Sequence, residues 1–322
     1  MQLFREHVRP SQWGVTWGRN FDLIAGDAAG IIVRTTSKEG RYATIGMFGG
    51  MLWLNSDILD AGITDEDVKE LIPHFMLDGI NEKGVAMESN VVNTLDAGSF
   101  TLHTNPSQKE VPQYCLIRYV LDRASSADEA VEIMKSIDII DTLPDIYGLH
   151  KSNYELHFLI TDKDKSYVVE FDNTKPDGEK MIIMPNEKIS TNFYLHLADI
   201  PNNVYADYSE GIERYHKLKD NISSVNSVDT MKTLMQSIRY TNTNRLDGEN
   251  PINYSNYREH IPEIIAEMKR NEAEITKILK DPKMNNPNHL WVTSHSVVYD
   301  LEKKTMSVAV YERFDKYFDY SL

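Results

Sequence analysis

The chain opens with short runs in which apolar and polar residues alternate, a pattern typical of β-strands. Residues 30–36 are rich in β-branched side chains, end at Lys38-Glu39-Gly40, and are followed by a second run at 42–48, which predicts a β-hairpin. A first hairpin is predicted from strands at 3–5 and 13–17, with its turn at 7–11. Further strands are predicted at 75–80, 85–87, 156–161, 167–171, 181–184, 188–193, 290–299 and 306–311.

Apolar residues recur at helical spacing in other segments. Ser126 and Glu129 have the spacing of a capping box, which predicts that one helix begins there. Thr64 and the acidic residues after it predict the start of a short helix that Pro73 disturbs. The longer helices are predicted at 112–123, 126–137, 211–220, 228–239 and 260–280.

The order of these elements is β-rich, helical, β-rich, helical and again β. No linker, low-complexity segment or internal repeat divides the chain, so a single domain over residues 1–322 is expected. This order predicts an α+β fold in which sheets occupy the middle and helices the outside.

Net charge, the length of the apolar stretches and cysteine content indicate which partners and which cellular compartment to expect. The net charge of -15 argues against nucleic acid as a partner, because a phosphate-binding surface needs clustered lysine and arginine. No apolar stretch is long enough to span a membrane, and no signal peptide is visible in the first 25 residues. The chain has one cysteine, Cys115, which is predicted to be a buried, protonated thiol within a helix. A cytoplasmic protein is expected.

The segment Gly18-Arg19-Asn20-Phe21-Asp22 follows a short apolar strand and carries the main candidate chemistry. A catalyst whose nucleophile is its own first residue needs a cation that favours the ionised nucleophile, a role that suits Arg19. It also needs a carboxylate, here Asp22, to hold the α-amino group that serves as the base. Such an amine has an ordinary pKa of about 8, close enough to neutrality for this role.

Residues 47–54 are apolar and contain a pair of glycines. Two interpretations are open: a strand of the core, or the wall of a lipophilic pocket that includes Phe48, Met51 and Trp53. His7, His196 and His295 are scattered and show no metal-ligand spacing. No phosphate-binding loop or dinucleotide fingerprint is present in the sequence.

Five segments in order resemble the choloylglycine hydrolase family, the N-terminal-nucleophile amide hydrolases that include bile salt hydrolases and penicillin V acylases. The resemblance implies a four-layer αββα sandwich of two antiparallel sheets between helix layers. The segments are Gly18 to Asp22, Asn81-Glu82-Lys83-Gly84 followed by Asn90, Ser190-Thr191-Asn192, Glu213-Arg214-Tyr215, and the closing strands from Thr293-Ser294 to Tyr311.

The resemblance also implies roles for individual residues. Arg19 matches the group beside the nucleophile sulfur, and Asp22 the partner of the α-amine. Asn192 and Asn90 match a pair of asparagines that stabilise the oxyanion, although Asn90 stands one residue away from the position found in bile salt hydrolases. Arg214 matches a second arginine near the nucleophile. Simpler structural roles are open for each: Arg19 with Asp22 as an ion pair at a strand end, Asn192 as a turn residue, and Arg214 as a solvent-facing helix residue.

The nucleophile itself is missing from the expected place. The family has its cysteine about sixteen residues before the motif arginine, and that count leads to Leu3 in this sequence. Ser11 is the nearest upstream hydroxyl, but it falls in the predicted turn. Thr16, in the strand that adjoins the motif, is no better placed.

Two functions therefore stay open. One is hydrolysis of a linear or conjugated amide with a lipophilic acyl group, such as a bile acid conjugate, penicillin V or an N-acyl amino acid. The nucleophile would then be supplied through a misplaced start or an altered N-terminus. The other is a catalytically silent homologue that binds an amide or amphiphile. The resemblance implies a homo-oligomer without a cofactor or metal, acting on small molecules rather than on nucleic acid or membranes.

Overall fold

A computed structural model describes most of the chain. The described residues are 2–3, 15–24, 30–49, 72–93, 102–141, 154–197, 210–239, 291–310 and 314–322. No helix among them is both long enough and apolar enough to cross a membrane.

Two antiparallel sheets contain most of the described strands. The strands are β1 Gln2–Leu3, β2 Thr16–Ile24, β3 Gly30–Thr35, β4 Thr44–Gly49, β5 Met76–Asn81, β6 Ala86–Asn93, β7 Glu110–Pro112, β8 Asp138–Ile140, β9 Tyr154–Thr161, β10 Ser166–Phe171, β11 Met181–Pro185, β12 Trp291–Asp300, β13 Thr305–Val310 and β14 Phe318–Ser321. The five-stranded sheet has the order β1-β2-β12-β13-β14, and the seven-stranded sheet has the order β11-β10-β9-β6-β5-β4-β3. A short parallel pair, β7 and β8, lies outside both.

Four α-helices are described, and each pair belongs to one sheet. Helices α1 (Leu116–Leu121) and α2 (Ala127–Lys135) contact strands of the seven-stranded sheet. Helices α3 (Glu210–Asn221) and α4 (Val228–Ser237) lie on the other side, where α4 contacts β2 and β12.

Three apolar clusters define the layers. One packs α1 and α2 onto the seven-stranded sheet, and another packs α3 and α4 onto β12 through Val298. The cluster between them joins the two sheets. Within it, Trp17 of β2 stacks on Tyr299 of the neighbouring strand β12, with 4.6 Å between ring centroids. The described chain is therefore an αββα sandwich, and the predicted fold class is confirmed.

Most element predictions agree with the structure. The hairpins at 30–48, 75–87 and 156–171 form adjacent strand pairs β3–β4, β5–β6 and β9–β10. The helices predicted near 112, 126, 211 and 228 are present, the first preceded by a short 3₁₀ segment Gln113–Cys115. The helix predicted at 260–280, the one at Thr64 and the turn at 7–11 lie outside the described residues.

Three details differ from expectation. Residues 188–193 form no regular strand, because they leave β11 and turn into the 3₁₀ helix Leu195–Leu197. Ser126 accepts from the Glu129 amide as predicted, but the Glu129 carboxylate bonds Ser125 rather than Ser126. Cys115 stands at the N-terminus of α1 and is half-buried rather than mid-helix and fully buried. Burial still raises the pKa of its thiol to about 12, so the thiol is protonated.

The turn between β5 and β6 shows why one of the family-like segments needs its residue types. Asn81 is fully buried and accepts from the backbone amides of Lys83 and Val85 at 3.0 Å each. Its amide donates to the carbonyls of Leu121 and Ala124 at 2.8 Å each, so the turn also satisfies the end of α1.

We expect Asn81→Ala to lower the free energy of unfolding by about 3 kcal/mol, because four hydrogen bonds are lost and buried backbone groups are left without partners. Urea denaturation of both proteins measures the change. The matched control is Lys83→Ala at the exposed position of the same turn, for which a change within about 0.5 kcal/mol is expected. Equal effects of the two substitutions would contradict this assignment.

Candidate active site

Strand β2, the second strand of the five-stranded sheet, carries the Arg19 motif. It pairs with β12 along its length, and the register shifts between Thr293 and His295. Such a bulge re-aims side chains at the point where it occurs. Phe21 and Arg19 lie on one side of the strand, with the guanidinium carbon 5.2 Å from the Phe21 ring centroid.

Arg19 is buried between the two sheets and bonds to the seven-stranded one. Its Nη1 donates to Oδ2 of Asp78 at 2.8 Å, and its Nη2 donates to the Ser89 carbonyl at 2.9 Å. Its Nε lies 3.6 Å from Oε2 of Glu88. Asp78 also accepts from the Tyr299 hydroxyl, so strands from both sheets converge on this ion pair. Paired acceptors of this kind are what permits a buried guanidinium.

The surroundings of Arg19 shift the pKa values of two neighbours. Burial raises the pKa of Glu88 to about 8, although Arg19 acts in the opposite direction, so this carboxyl is protonated at neutral pH. Burial, helped by the charge of Arg19, lowers the pKa of His295 to about 3, so this imidazole is neutral. His295 stacks on Phe21 with ring centroids 5.0 Å apart.

Asp22 belongs to a second network, beside α3. Arg214 on α3 donates through Nη1 to Oδ2 of Asp22 and through Nη2 to Oδ1 of Asn192 at 2.9 Å. The Thr293 hydroxyl donates to the other oxygen of Asp22 at 2.6 Å. One arginine thus holds the carboxylate and the amide in a fixed relation.

Strand β6 joins the two networks. Arg19 reaches the Ser89 carbonyl, while the amide of Asn192 donates to the carbonyl of Val91 at 2.9 Å. Between these points, Nδ2 of Asn90 lies 3.5 Å from Oε1 of Glu88. All five predicted catalytic residues therefore lie on β6, hydrogen-bond to it, or hydrogen-bond to one another.

Asn90 also begins a row of hydrogen bonds into the seven-stranded sheet. Its Nδ2 donates to Oγ of Ser190 at 3.3 Å, and that oxygen lies 3.0 Å from Nε2 of His157. Nδ1 of His157 lies 3.0 Å from Oε1 of Glu170. Burial alone would raise the pKa of Glu170, but hydrogen bonds from His157, His196 and the Leu195 amide lower it to about 2. The ionised carboxylate can only accept, so Nδ1 of His157 donates to it.

Glu170 fixes the segment that carries Asn192. Its carboxylate accepts from the backbone amides of Leu195 and His196 at 2.8 and 3.1 Å. The hydroxyl of Thr191 donates to the carbonyl of Gly211 on α3 at 2.8 Å, which ties the same segment to the helix of Arg214. The amide of Asn192 is therefore presented by a segment that is bonded on both sides.

The sequence-derived residues can now be placed. Arg19 and Asp22 do not pair with one another, since each bonds to its own partners, and Arg214 faces Asp22 and Asn192 rather than solvent. Phe48 is a buried residue of β4, and Met51 and Trp53 lie outside the described residues. Strand β1 pairs with β2 so that Leu3, the position reached by counting, lies opposite Trp17.

Several residues of the site were missed by sequence reasoning. Asp78 and Glu88 are charged residues inside strands, each next to an apolar residue (Leu77 and Met87), and that anomaly was an available signal. His157, Glu170 and Ser190 come from separate segments, and only the pairing of β6 with β9 and of β9 with β10 brings them together. In the part of the chain that the structure describes, one group of His103, Glu110 and Asp138 has atoms close enough to hold a metal ion, and it shares no hydrogen bond with these networks.

The αββα sandwich is the N-terminal-nucleophile hydrolase fold. Residues 72–321 match the family described as acyl-coenzyme A:6-aminopenicillanic acid acyl-transferase, and the chain belongs to that family. The resemblance inferred from the sequence motifs is confirmed. No curated protein matches the chain.

The chain is also similar to solved structures. A penicillin V acylase from Agrobacterium tumefaciens, which agrees in fold, is 13% identical, with a TM-score of 0.50 over 92% of this chain and 79% of that one. A mutant form of the conjugated bile acid hydrolase from Clostridium perfringens is 17% identical, with a TM-score of 0.48 over 96% of this chain and 89% of that one. A Caenorhabditis elegans N-acylethanolamine-hydrolyzing acid amidase ortholog is 13% identical, with a TM-score of 0.41 over 96% and 95% of the two chains.

Glu88→Gln tests the buried acid. The unfolded carboxyl loses its proton near its ordinary pKa of 4.5 and the folded one near 8, so the unfolded chain binds fewer protons between these values and stability falls as the pH rises. The glutamine of the variant has no proton to lose. The free energy of unfolding of the variant should therefore rise relative to that of the wild type as the pH rises. Between pH 5 and pH 8 we expect this difference to change by on the order of 2–4 kcal/mol.

Urea unfolding at pH 5 and pH 8 measures the difference between the two proteins. Glu132→Gln, at an exposed position of α2, serves as the control and should leave the pH dependence unchanged. A Glu88→Gln effect of the same size at both pH values would show that the carboxyl does not hold its proton in the folded chain.

Proposed function

We propose that this protein hydrolyses the C–N bond of a linear or conjugated amide. The observation that carries the proposal is the hydrogen-bonded set of Asp22, Arg214 and Asn192, held against β6 at the sheet interface. Membership of the acyl-transferase family and the similar fold of a penicillin V acylase agree with it.

The residues supply the functions that this chemistry needs. An amide carbonyl under attack develops negative charge on its oxygen, which the N–H of Asn192 that is not bonded to Val91 can stabilise. Asn90 can contribute only by exchanging its bond to Ser190 or its long contact with Glu88 for the oxyanion. Asp22, held by Arg214 and Thr293, is a fixed carboxylate for an α-amino group that acts as base. The positive charge of Arg19 favours an ionised nucleophile nearby.

The pairing of β1 supports a proposed position for the nucleophile. Leu3 lies opposite Trp17, two residues before Arg19, in the strand adjacent to the motif. This sequence has Leu at that position, so we propose that hydrolysis requires a cysteine there as the first residue of a chain, and that the chain as written is inactive without it. Cys115 has no part in the reaction, because burial keeps its thiol protonated.

The substrate class follows the family resemblance rather than the described contacts. We propose a small-molecule amide with a lipophilic acyl group, near Phe48, Met51 and Trp53. We further propose that the protein acts as one domain, in a cytoplasmic homo-oligomer, without nucleic acid or membrane partners.

A second function, binding of an amide or amphiphile without turnover, is favoured by a separate observation. Arg19 already bonds Asp78 and the Ser89 carbonyl and lies beside Glu88, so its charge is largely committed within the protein. An arginine held in this way serves the contact between the sheets even where no nucleophile is present.

We expect a chain that begins with Cys at position 3 (Leu3→Cys, residues 1–2 removed) to hydrolyse chromogenic penicillin V or a glycine-conjugated bile acid. Adding Asn192→Ala should lower kcat by about 10²–10³-fold, because an oxyanion donor is lost. Product release is measured by absorbance or chromatography, and iodoacetamide should abolish it.

The control begins with Ala at position 3 and should have no activity. If the Cys variant folds, gives no turnover of either amide, and the unmodified chain binds these amides by calorimetry, the silent-homologue function replaces the hydrolase. Binding that Arg214→Ala removes would place the ligand at the Asp22 network.

A further inference from the structure

Three potential metal-binding side chains meet beside the parallel pair β7–β8. A ring nitrogen of His103, a carboxylate oxygen of Glu110 and one of Asp138 all lie within 4.8 Å of one another. Glu110 and Asp138 are direct neighbours in the pair, so their side chains leave the same face. His103 reaches them through its own bridge to Ile140, and its Nδ1 is 2.7 Å from Oδ2 of Asp138.

The backbone that carries these ligands is fixed. The amide of Thr104 donates to the Ile139 carbonyl at 3.3 Å, and its hydroxyl accepts from the Ile139 amide at 2.8 Å. The Asp138 amide donates to the Lys109 carbonyl at 2.9 Å. The segments before β7 and around β8 are therefore bonded together before any ligand arrives, which lowers the entropic cost of binding.

Asp138 has the support that a metal ligand needs. Its side chain is fully buried, and its second oxygen accepts from the Asn105 amide at 2.8 Å, which leaves Oδ2 directed at His103. Lys109, the nearest lysine in sequence, places its ammonium 5.2 Å from the Tyr119 ring centroid. Two carboxylates thus meet at one point, where a divalent cation would balance their charge.

We propose that His103, Glu110 and Asp138 form a binding site for a divalent transition-metal ion such as Zn²⁺. One imidazole and two carboxylates suit zinc, manganese or cobalt, whereas a histidine ligand disfavours magnesium and calcium. A tetrahedral ion with bonds near 2.1 Å needs its ligand atoms about 3.4 Å apart, so His103 and Asp138 must separate by roughly 0.7 Å. The exposed Glu110 can adjust to meet the ion.

The ion would cross-link the segment that contains His103 and Glu110 to β8 through Asp138. Its remaining coordination positions would face solvent. Because the site shares no hydrogen bond with the Asp22 and Arg19 networks, the proposal is independent of amide hydrolysis. Any metal that binds only to the folded chain also stabilises it.

The experiment is calorimetric titration of the full chain, freed of metal by chelation, with Zn²⁺. Compared with the wild type, each of the variants Glu110→Gln and His103→Ala should bind one Zn²⁺ ion fewer per chain, or bind that ion about tenfold or more weakly. At roughly a hundredfold excess over Kd, Zn²⁺ should raise the wild-type Tm by about 5 °C. The same excess of Mg²⁺ should not, and Co²⁺ should give a visible absorption band.

Glu132→Gln and His216→Ala, which remove an exposed carboxylate and an exposed imidazole elsewhere, are the matched controls and should bind like the wild type. Glu110→Gln alters an exposed side chain and keeps the His103 to Asp138 contact, so its loss of binding does not depend on a damaged fold. Absence of Zn²⁺ binding by the wild type, or equal binding by Glu110→Gln, would overturn the proposal.

Discussion

The structure depends on one buried guanidinium. Arg19 enters the interface between the two sheets, where a cation without partners would be prohibitive. Asp78, Glu88 and the Ser89 carbonyl surround it from the seven-stranded sheet, and Tyr299 bonds Asp78 from the five-stranded sheet. This charge fixes how the two sheets meet, and the Asp22 network is assembled further along the same strand.

The sequence predicted the layers well because hydrophobic periodicity is a local signal. The hairpins around residues 30–48 and 75–87 were readable from alternation and turn chemistry, and Asn81 shows that its turn motif has a physical basis in four hydrogen bonds. Residues 188–193 were misassigned because their β-branched residues resemble a strand, whereas the segment is held by side-chain hydrogen bonds of Ser190, Thr191 and Asn192.

The site was predictable only in part. Motif order selected Arg19, Asp22, Asn192 and Arg214, but it could not say which atoms meet, and Arg19 pairs with Asp78 rather than with Asp22. Contacts such as His157 with Glu170 and Ser190 depend on strand order and register, which a single sequence leaves undetermined. The protonation of Glu88 likewise follows from burial, a property of the packed sheets.

The row from Glu170 through His157 and Ser190 to Asn90 has a direction. Its two ends point towards Glu170: the amide of Asn90 donates to Ser190, and Nδ1 of His157 donates to the carboxylate, which is ionised and can only accept. A proton wire would have to reverse the bond from His157 to Glu170, and the low pKa of Glu170 opposes that reversal. The row is therefore a brace rather than a relay, and it keeps a proton on Nδ1 of His157, which nitrogen NMR of the ring can recognise.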